Sequence, residues 1–533
     1  MEQPMAEETI LEATERTSGR EALRKNVQAA IALAGAVRST LGPKGLDKLL
    51  IDDQGRTLVT NDGVTVLENA RVEHPVAKMI INTSSTQDRV ARDGTSSTVV
   101  MCAEMLRNAW ELVRQGVHPA IIARGFSQAE RFALDSLNDI AIKANEEQIN
   151  SAILTSLSGK LDHAMEKHLA ELSFNASKII LNEGRADPTL VKLTSQNGGA
   201  MSDTELITGL ALAKSKIHPE MKERGGPGKI LILDGGIERK QPKFDSTLKI
   251  SSTGMLDAFK KSESRMLQLQ IENLVKIGCD LIACKDGVDD EARQMLLDSG
   301  IVAYRRVEKK DLDLLSRACN ANLVPDAGRA SKEDLGAFIS TKEELRGGVN
   351  HWILEGKDSG ATLIARGSTD DVLGEVERCF NDGLGVACQL QEEPILLPGA
   401  GATQAAIARR LRRHAETVPG REQMAIEAWA DAIESIPRAL ASNAGYDGTD
   451  SLLKLTASQN SSGDYMGLGL ENGEPMNSIE EGILEPIRIT KQAISGATET
   501  AISILRIDDV LWAQMDAQIP DEVQEKLQSM ETE

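Results

Sequence analysis

The hydrophobic positions follow a period of 3.6 at both ends of the chain and change pattern in the middle. Leu23, Val27, Ala30, Ile31, Ala34 and Val37 recur at helical spacing. Ser18, with Glu21 three residues on, predicts a capping box at the start of that helix. Leu41-Gly42-Pro43 predicts its end, because Gly suits a left-handed position and Pro cannot continue a helix. Next, the β-rich runs Leu58-Val59 and Val64-Thr65-Val66 flank Thr60-Asn61-Asp62-Gly63 and predict a hairpin, since Asn, Asp and Gly tolerate positive φ. "DGTSSTVVMCAEMLRNAWELVRQG" reads as a second helix, capped by Asp93 or Thr95, striped by Val99, Cys102, Met105, Leu106 and Trp110, and ended by Gly116. A third helix is predicted from Pro119 through Leu137.

The middle alternates. "KILILDGG" is a short apolar strand bounded by glycines. A helix over Met266–Ile277, a strand over Asp280–Cys284, a helix over Asp289–Leu297, a strand over Ile301–Arg305 and a helix over Lys309–Cys319 follow. That order predicts α/β structure on a mostly parallel sheet. From Thr403 to Leu511 long helical patterns return. The simplest account is a helical region interrupted by an α/β insertion, with both ends of the chain packing together.

Composition narrows the function classes. A chain of 533 residues holds two to four domains, and 41% hydrophobic with 26% charged residues is ordinary for a soluble globular protein. Aromatics are only 3% and the net charge is −21, which argues against nucleic acid as a ligand. The run Arg409-Arg410-Leu411-Arg412-Arg413-His414 reads as a solvated helix face. The acidic N-terminus lacks the apolar stretch of a signal peptide, and no run reaches the length of a membrane span. The six cysteines are scattered, and Cys279 and Cys284 flank a buried strand, which fits small core residues in a reducing cytoplasm. The histidines form no HExxH pattern, and His74, His118 and His218 simply precede proline, so no structural zinc is expected.

Three glycine-bearing turns stand beside helices: "TLGPKG" (40–45), "RDGTSST" (92–98) and "PGAGAT" (398–403). A helix N-terminus presents N–H groups and a positive dipole end, so each turn could hold a phosphate. Asp93 adds a carboxylate suited to Mg²⁺, and its neighbours add hydroxyls. None is a Walker A loop. Each alone is better explained as an ordinary helix cap or entry, and Asp62 alone as a turn residue.

Taken in order, however, "RSTLGPKGLDKLL", "VTNDGVTVLENARVEHPVAKM", "TQDRVARDGTSSTVV", "VERCFNDGLGVA", "LPGAGATQAAIARRL", "ASNAGYDGTDSLLKL" and "GILEPIRITKQAI" resemble the group II chaperonins, the archaeal thermosome and its eukaryotic cytosolic relatives. The resemblance runs from about Thr17 to Asp516. It implies a multidomain fold: an all-α equatorial domain (1–148 and 403–533), a small α+β intermediate hinge domain (149–214 and 367–402), and an α/β apical domain (215–366). The apical domain would carry a helical protrusion at about 243–266, a built-in lid whose Phe244, Leu248, Ile250, Met255, Leu256 and Phe259 either meet non-native chains or neighbouring lids or pack against their own domain.

The resemblance also implies a site for ATP and Mg²⁺. Thr40, Leu41, Gly42 and Pro43 would contact phosphates; Asp93 would bind the metal; Gly94, Thr95, Ser96 and Ser97 would hold phosphate oxygens. Asp62 and Asp382 would position the attacking water. Gly399, Ala400 and Gly401 would lie by the adenosine, Glu485 by the ribose, and Gly159 with Lys160 near the phosphates on closure. The expected partners are non-native polypeptides and self or paralogous subunits, eight to a ring in a stacked double ring, with no nucleic acid and no membrane. Arg92 and Ala400 stand where the family has Gly, and Asn477 where Asp is common. The first two leave open a second reading: a paralogue with impaired hydrolysis that serves as a structural or holding subunit.

Overall fold

The computed structural model describes residues 14–51, 55, 57–70, 72–222, 225–239, 253–357 and 360–513. In chain order its helices are α1 (Gly19–Arg38), α2 (Gly63–Asn69), α3 (Pro75–Ala91), α4 (Thr95–Arg114), α5 (Pro119–Ile140), α6 (Glu146–Leu157), α7 (His163–Ile179) and α8 (Thr253–Ile277). They continue as α9 (Asp290–Asp298), α10 (Lys309–Cys319), α11 (Asp370–Glu392), α12 (Ala402–Ala415), α13 (Glu422–Ile433), α14 (Ser435–Asn443), α15 (Gly448–Ser462) and α16 (Ile487–Leu505). Two compact units result: one from both ends of the chain, Met1–Ile142 with Leu396–Glu533, and one from Lys143–Ile395.

The first unit is built round α4, which is buried on nearly every side, from Val99 through Leu106. A helix that is apolar all round belongs in a core, and α1, α13 and α16 pack against it. Trp429 is fully buried and donates its indole N–H to Thr498 Oγ1 at 3.0 Å. Two of the His-Pro pairs are helix starts. His74 and His118 cap α3 and α5, each with its Nδ1 accepting from the backbone N–H two residues on, and the prolines take the first helical position. Helix α3 has no counterpart in the sequence reading, because its centre, Asn82-Thr83-Ser84-Ser85-Thr86, is a weak helix former. Two further expectations are corrected. Ser18 makes no side-chain cap bond to α1, since Glu21 is engaged by Arg24 instead. The arginine run on α12 is not merely solvated: Arg409 and Arg410 pair with Asp464, Arg410 also with Asp139, and Arg412 with Glu434 and Asp431.

In the second unit, α6, α7 and α11 pack together beside a three-stranded sheet. Its central strand, Ala361–Gly367, runs parallel to Val191–Asn197 and antiparallel to Glu205–Thr208. The larger sheet has the order Val302–Tyr304, Leu281–Cys284, Gly228–Leu233, Gly336–Arg346, Val349–Gly356, Leu210–Leu212, with Leu323–Val324 also on Gly228–Leu233. It is mixed rather than mostly parallel. The strands alternating with helices are parallel, but the hairpin Gly336–Arg346/Val349–Gly356 and Leu210–Leu212 are antiparallel. Tyr304 and Trp352 stack at 3.9 Å between centroids, and the Trp352 N–H reaches Thr341 Oγ1 at 2.8 Å. All six cysteines are buried free thiols. Of the expected protrusion, residues 243–252 lie outside the described residues; 253–266 belong to α8.

Candidate functional site

The turn that holds Asp62 is a helix start, which overturns the hairpin reading of Val64-Thr65-Val66. Asp62 Oδ2 accepts from the Thr65 N–H at 2.8 Å and from the Thr65 hydroxyl at 2.6 Å, capping α2. An Asp cap that satisfies an end N–H outweighs the weak strand preference of three residues. The strand before the turn, Thr57–Thr60, pairs backwards with Lys48–Ile51.

Gly63 is required by close approach. A Cβ there would overlap Ser96 Oγ and come within 3.1 Å of Thr95 Oγ1, so the start of α2 lies on the start of α4. Thr40 Oγ1 approaches Ser96 Oγ at 3.4 Å from a third direction. The Leu41-Gly42-Pro43 turn is held by Asn443, whose amide donates to the carbonyls of Arg38 at 3.0 Å and Leu41 at 2.9 Å. Helix α4 itself begins at Gly94, in the left-handed region with φ 79, and has no side-chain cap; neither Asp93 nor Thr95 caps it as expected. Asp93 Oδ1 accepts from the Gly94 N–H at 2.6 Å. Gln87 Nε2 donates to the carbonyls of Asp93 at 2.7 Å and Ile489 at 3.2 Å, tying this corner to α16.

The Gly399-Ala400-Gly401 turn joins the same region through Glu485. Leu397 pairs with Glu485 across a short antiparallel ladder, and the Gly399 N–H donates to Ile483 O at 2.8 Å. Gly401 has φ 75, and a Cβ on it would stand 2.7 Å from that of Pro437. Burial pushes the Glu485 carboxyl up to about 7, the negative charge of Asp93 adds to the rise, and hydrogen bonds from Thr490 and Gln404 oppose it. The Thr490 hydroxyl donates to Glu485 Oε1 at 2.9 Å. Both of the family-glycine positions, Arg92 at φ 58 and Ala400 at φ 54, are left-handed.

The second unit brings together the remaining candidates. Ser158 ends α6, Gly159 follows with φ 86, and its N–H donates to Glu166 Oε1 at 2.6 Å. Lys160 Nζ then reaches Asp382 Oδ2 on α11 at 2.7 Å, with both side chains largely buried. Asp382 is therefore an ion-paired carboxylate and not a solvated one. Its neighbour Gly383 admits α7, since a Cβ there would lie 2.8 Å from Ser173 Oγ.

One carboxylate and a row of hydroxyls at a helix N-terminus are hard oxygen donors that suit a magnesium–phosphate group. Among the described residues no group of three or more His, Cys, Asp or Glu is placed to hold a metal ion. No described helix is long and apolar enough to cross a membrane.

A family model described as the TCP-1/cpn60 chaperonin family matches residues 33–515. The chain is 39% identical over 515 residues to thermosome subunit beta of Archaeoglobus fulgidus, covering 95% of this chain and 94% of that one. It is 40% identical over 514 residues to thermosome subunit beta of Thermoplasma acidophilum, covering 94% of each. The thermosome subunit of Pyrococcus abyssi matches at 38% over 512 residues, 94% of this chain and 93% of that one.

Proposed function

Because the chain belongs to the TCP-1/cpn60 chaperonin family, we propose that it is a ring-forming group II chaperonin subunit that hydrolyses ATP to fold non-native polypeptides under a built-in lid. We assign three domains to it, with the equatorial, intermediate and apical boundaries given above. The observation that carries the reading is the meeting of Thr40, Asp62-Gly63 and Asp93 to Ser97 at the start of α4, with Glu485 close enough to feel the charge of Asp93.

Hydrolysis of a phosphoanhydride is mainly positioning and charge neutralisation. The Thr40–Pro43 turn and the first turn of α4 would hold phosphate oxygens; Asp93 would hold Mg²⁺, which would supply the positive charge that neutralises them. Asp62 orients the attacking water and is itself held by Thr65. Asp382 is the second water-directing carboxylate, and Lys160 is its partner until phosphate competes for the ammonium. Six buried thiols suit a reducing cytoplasm.

Asp62→Asn tests this well, because Asn also caps helices and preserves α2. We expect Asp62→Asn and Asp382→Asn each to lower steady-state ATP turnover by about 10²-fold or more while nucleotide affinity changes only severalfold. Turnover at the wild-type rate in either variant removes the role assigned to that residue. A second reading, a holding subunit with weak hydrolysis, is favoured by the left-handed backbone at Arg92 and Ala400. ATP turnover that is slow and unresponsive to an unfolded client would select it.

A further inference from the structure

Helix α14 has two occupied faces. Pro437 lies against Gly401 and Leu440 against Gly42, so one face backs the candidate nucleotide turns. Ser435, Arg438 and Ser442, at i, i+3 and i+7, share the other face and line a cavity of about 360 Å³. Its remaining walls are Arg38 at the end of α1, Glu104 and Arg107 on α4, and Asp447 to Thr449 at the start of α15. None of these residues belongs to the nucleotide turns.

The charge is unevenly balanced. Glu104 is buried and takes Arg38 on one oxygen and Arg107 on the other, at 2.5 Å for the latter. One carboxylate thus serves two guanidiniums. Arg438 shares Glu434 with Arg412, at 3.1 Å for the Arg438 contact. Asp447 spends Oδ1 on the N–H groups of Thr449 and Asp450, each at 2.9 Å, as the cap of α15. Three guanidiniums therefore face the cavity against two carboxylates, and each has five N–H donors arranged to suit an oxyanion. The independent sign is Ser435. It is only 4% exposed, it lines the cavity, and its hydroxyl has no hydrogen-bond partner among the described residues. A buried hydroxyl left unmatched is costly, and native proteins usually supply a partner.

We propose that this cavity is a second anion site, which takes a phosphate group through Arg38, Arg107, Arg438 and the Ser435 hydroxyl. The phosphate comes either as the free ion or on a small phosphomonoester; the cavity volume accommodates both. The site does not depend on the nucleotide reading, since it uses other residues.

The test is calorimetric titration of the full-length protein with inorganic phosphate and, separately, with glycerol phosphate. Arg107→Gln and Ser435→Ala serve as variants, because Arg107 is half-exposed and Ser435→Ala removes a single atom. We expect saturable phosphate binding that weakens about tenfold in Arg107→Gln, the effect of one charge-assisted hydrogen bond, and severalfold in Ser435→Ala. Tighter binding of the ester identifies a metabolite site, and equal or weaker binding a free-anion site. The nucleotide turns could also take phosphate, but that binding would be equal in all three proteins. If phosphate shows no saturable binding, or binds wild type and both variants alike, the proposal is overturned and the arginines serve only to neutralise Glu104 and Glu434.

Discussion

At the scale of single residues, the two departures at family-glycine positions are the same kind of event. Arg92 and Ala400 both sit at positive φ, where a side chain costs about 1–2 kcal/mol. Glycine would relieve that cost but loses roughly 0.5–1 kcal/mol to the extra freedom of the unfolded chain. We therefore expect Arg92→Gly and Ala400→Gly each to stabilise the protein by about 0.5–1 kcal/mol, read from the urea midpoint at constant slope. Glu485 gives a pH signature. Its folded carboxyl keeps a proton up to about 7, whereas the ordinary value is 4.5. The stability it contributes is thus full below pH 4.5 and lost as pH rises through about 7. Wild type should lose stability between about pH 5 and pH 8 relative to Glu485→Gln, which cannot titrate there; parallel curves for the two proteins would contradict the buried setting. This residue was legible in the sequence only through its motif, because burial and the neighbouring charge of Asp93 come from chain segments nearly four hundred residues apart.

At the scale of elements, strongly periodic stretches were readable and cap-defined ones were not. The helix over Lys309–Cys319 has the bounds its pattern predicts, since acid at the start, base at the end and an unbroken apolar stripe all agree. The segment after Asp62 misled because its Val-Thr-Val core favours strand while the deciding bond, Asp62 to Thr65, is local and invisible to periodicity. Likewise the arginines of α12 looked solvated, because their acids arrive from other segments: Asp139 from α5, Asp431 from α13, and Glu434 and Asp464 from turns. The same logic explains why α2 can be only a short helix set tightly on α4. Gly63→Ala would drive a methyl into Ser96 Oγ, with overpacking typically costing about 1–3 kcal/mol. We expect this variant to lose stability in that range and to bind nucleotide at least severalfold more weakly, because Thr95 and Ser96 move with the displaced turn. Unchanged affinity by titration would separate the α2–α4 contact from nucleotide binding.

At the scale of the whole molecule, one described surface feature that suits a partner is the hairpin Lys48–Ile51/Thr57–Thr60. Leu49 faces Val59 directly across it, and Leu49 and Ile51 are 61% and 68% exposed, with Leu46 exposed just before them. A two-stranded hairpin is marginal alone, so an apolar face on it invites addition of strands from another chain. A candidate acceptor lies in the same unit: Thr14–Ser18 pairs antiparallel with Asp509–Ala513 as a two-stranded ladder. Hairpin of one subunit on ladder of the next is a head-to-tail contact, and a head-to-tail contact that closes makes a ring. The net charge of −21 opposes that association over distance, so salt should favour it by screening. Asp substituted at both Leu49 and Ile51 would add charge where apolar contact is needed while leaving the buried core untouched. If the chain assembles as proposed, sedimentation of this double variant should show small species where wild type shows a large assembly, with folded circular dichroism retained. A size distribution like that of wild type would mean that the proposed ring is held elsewhere and that this exposed face serves another purpose.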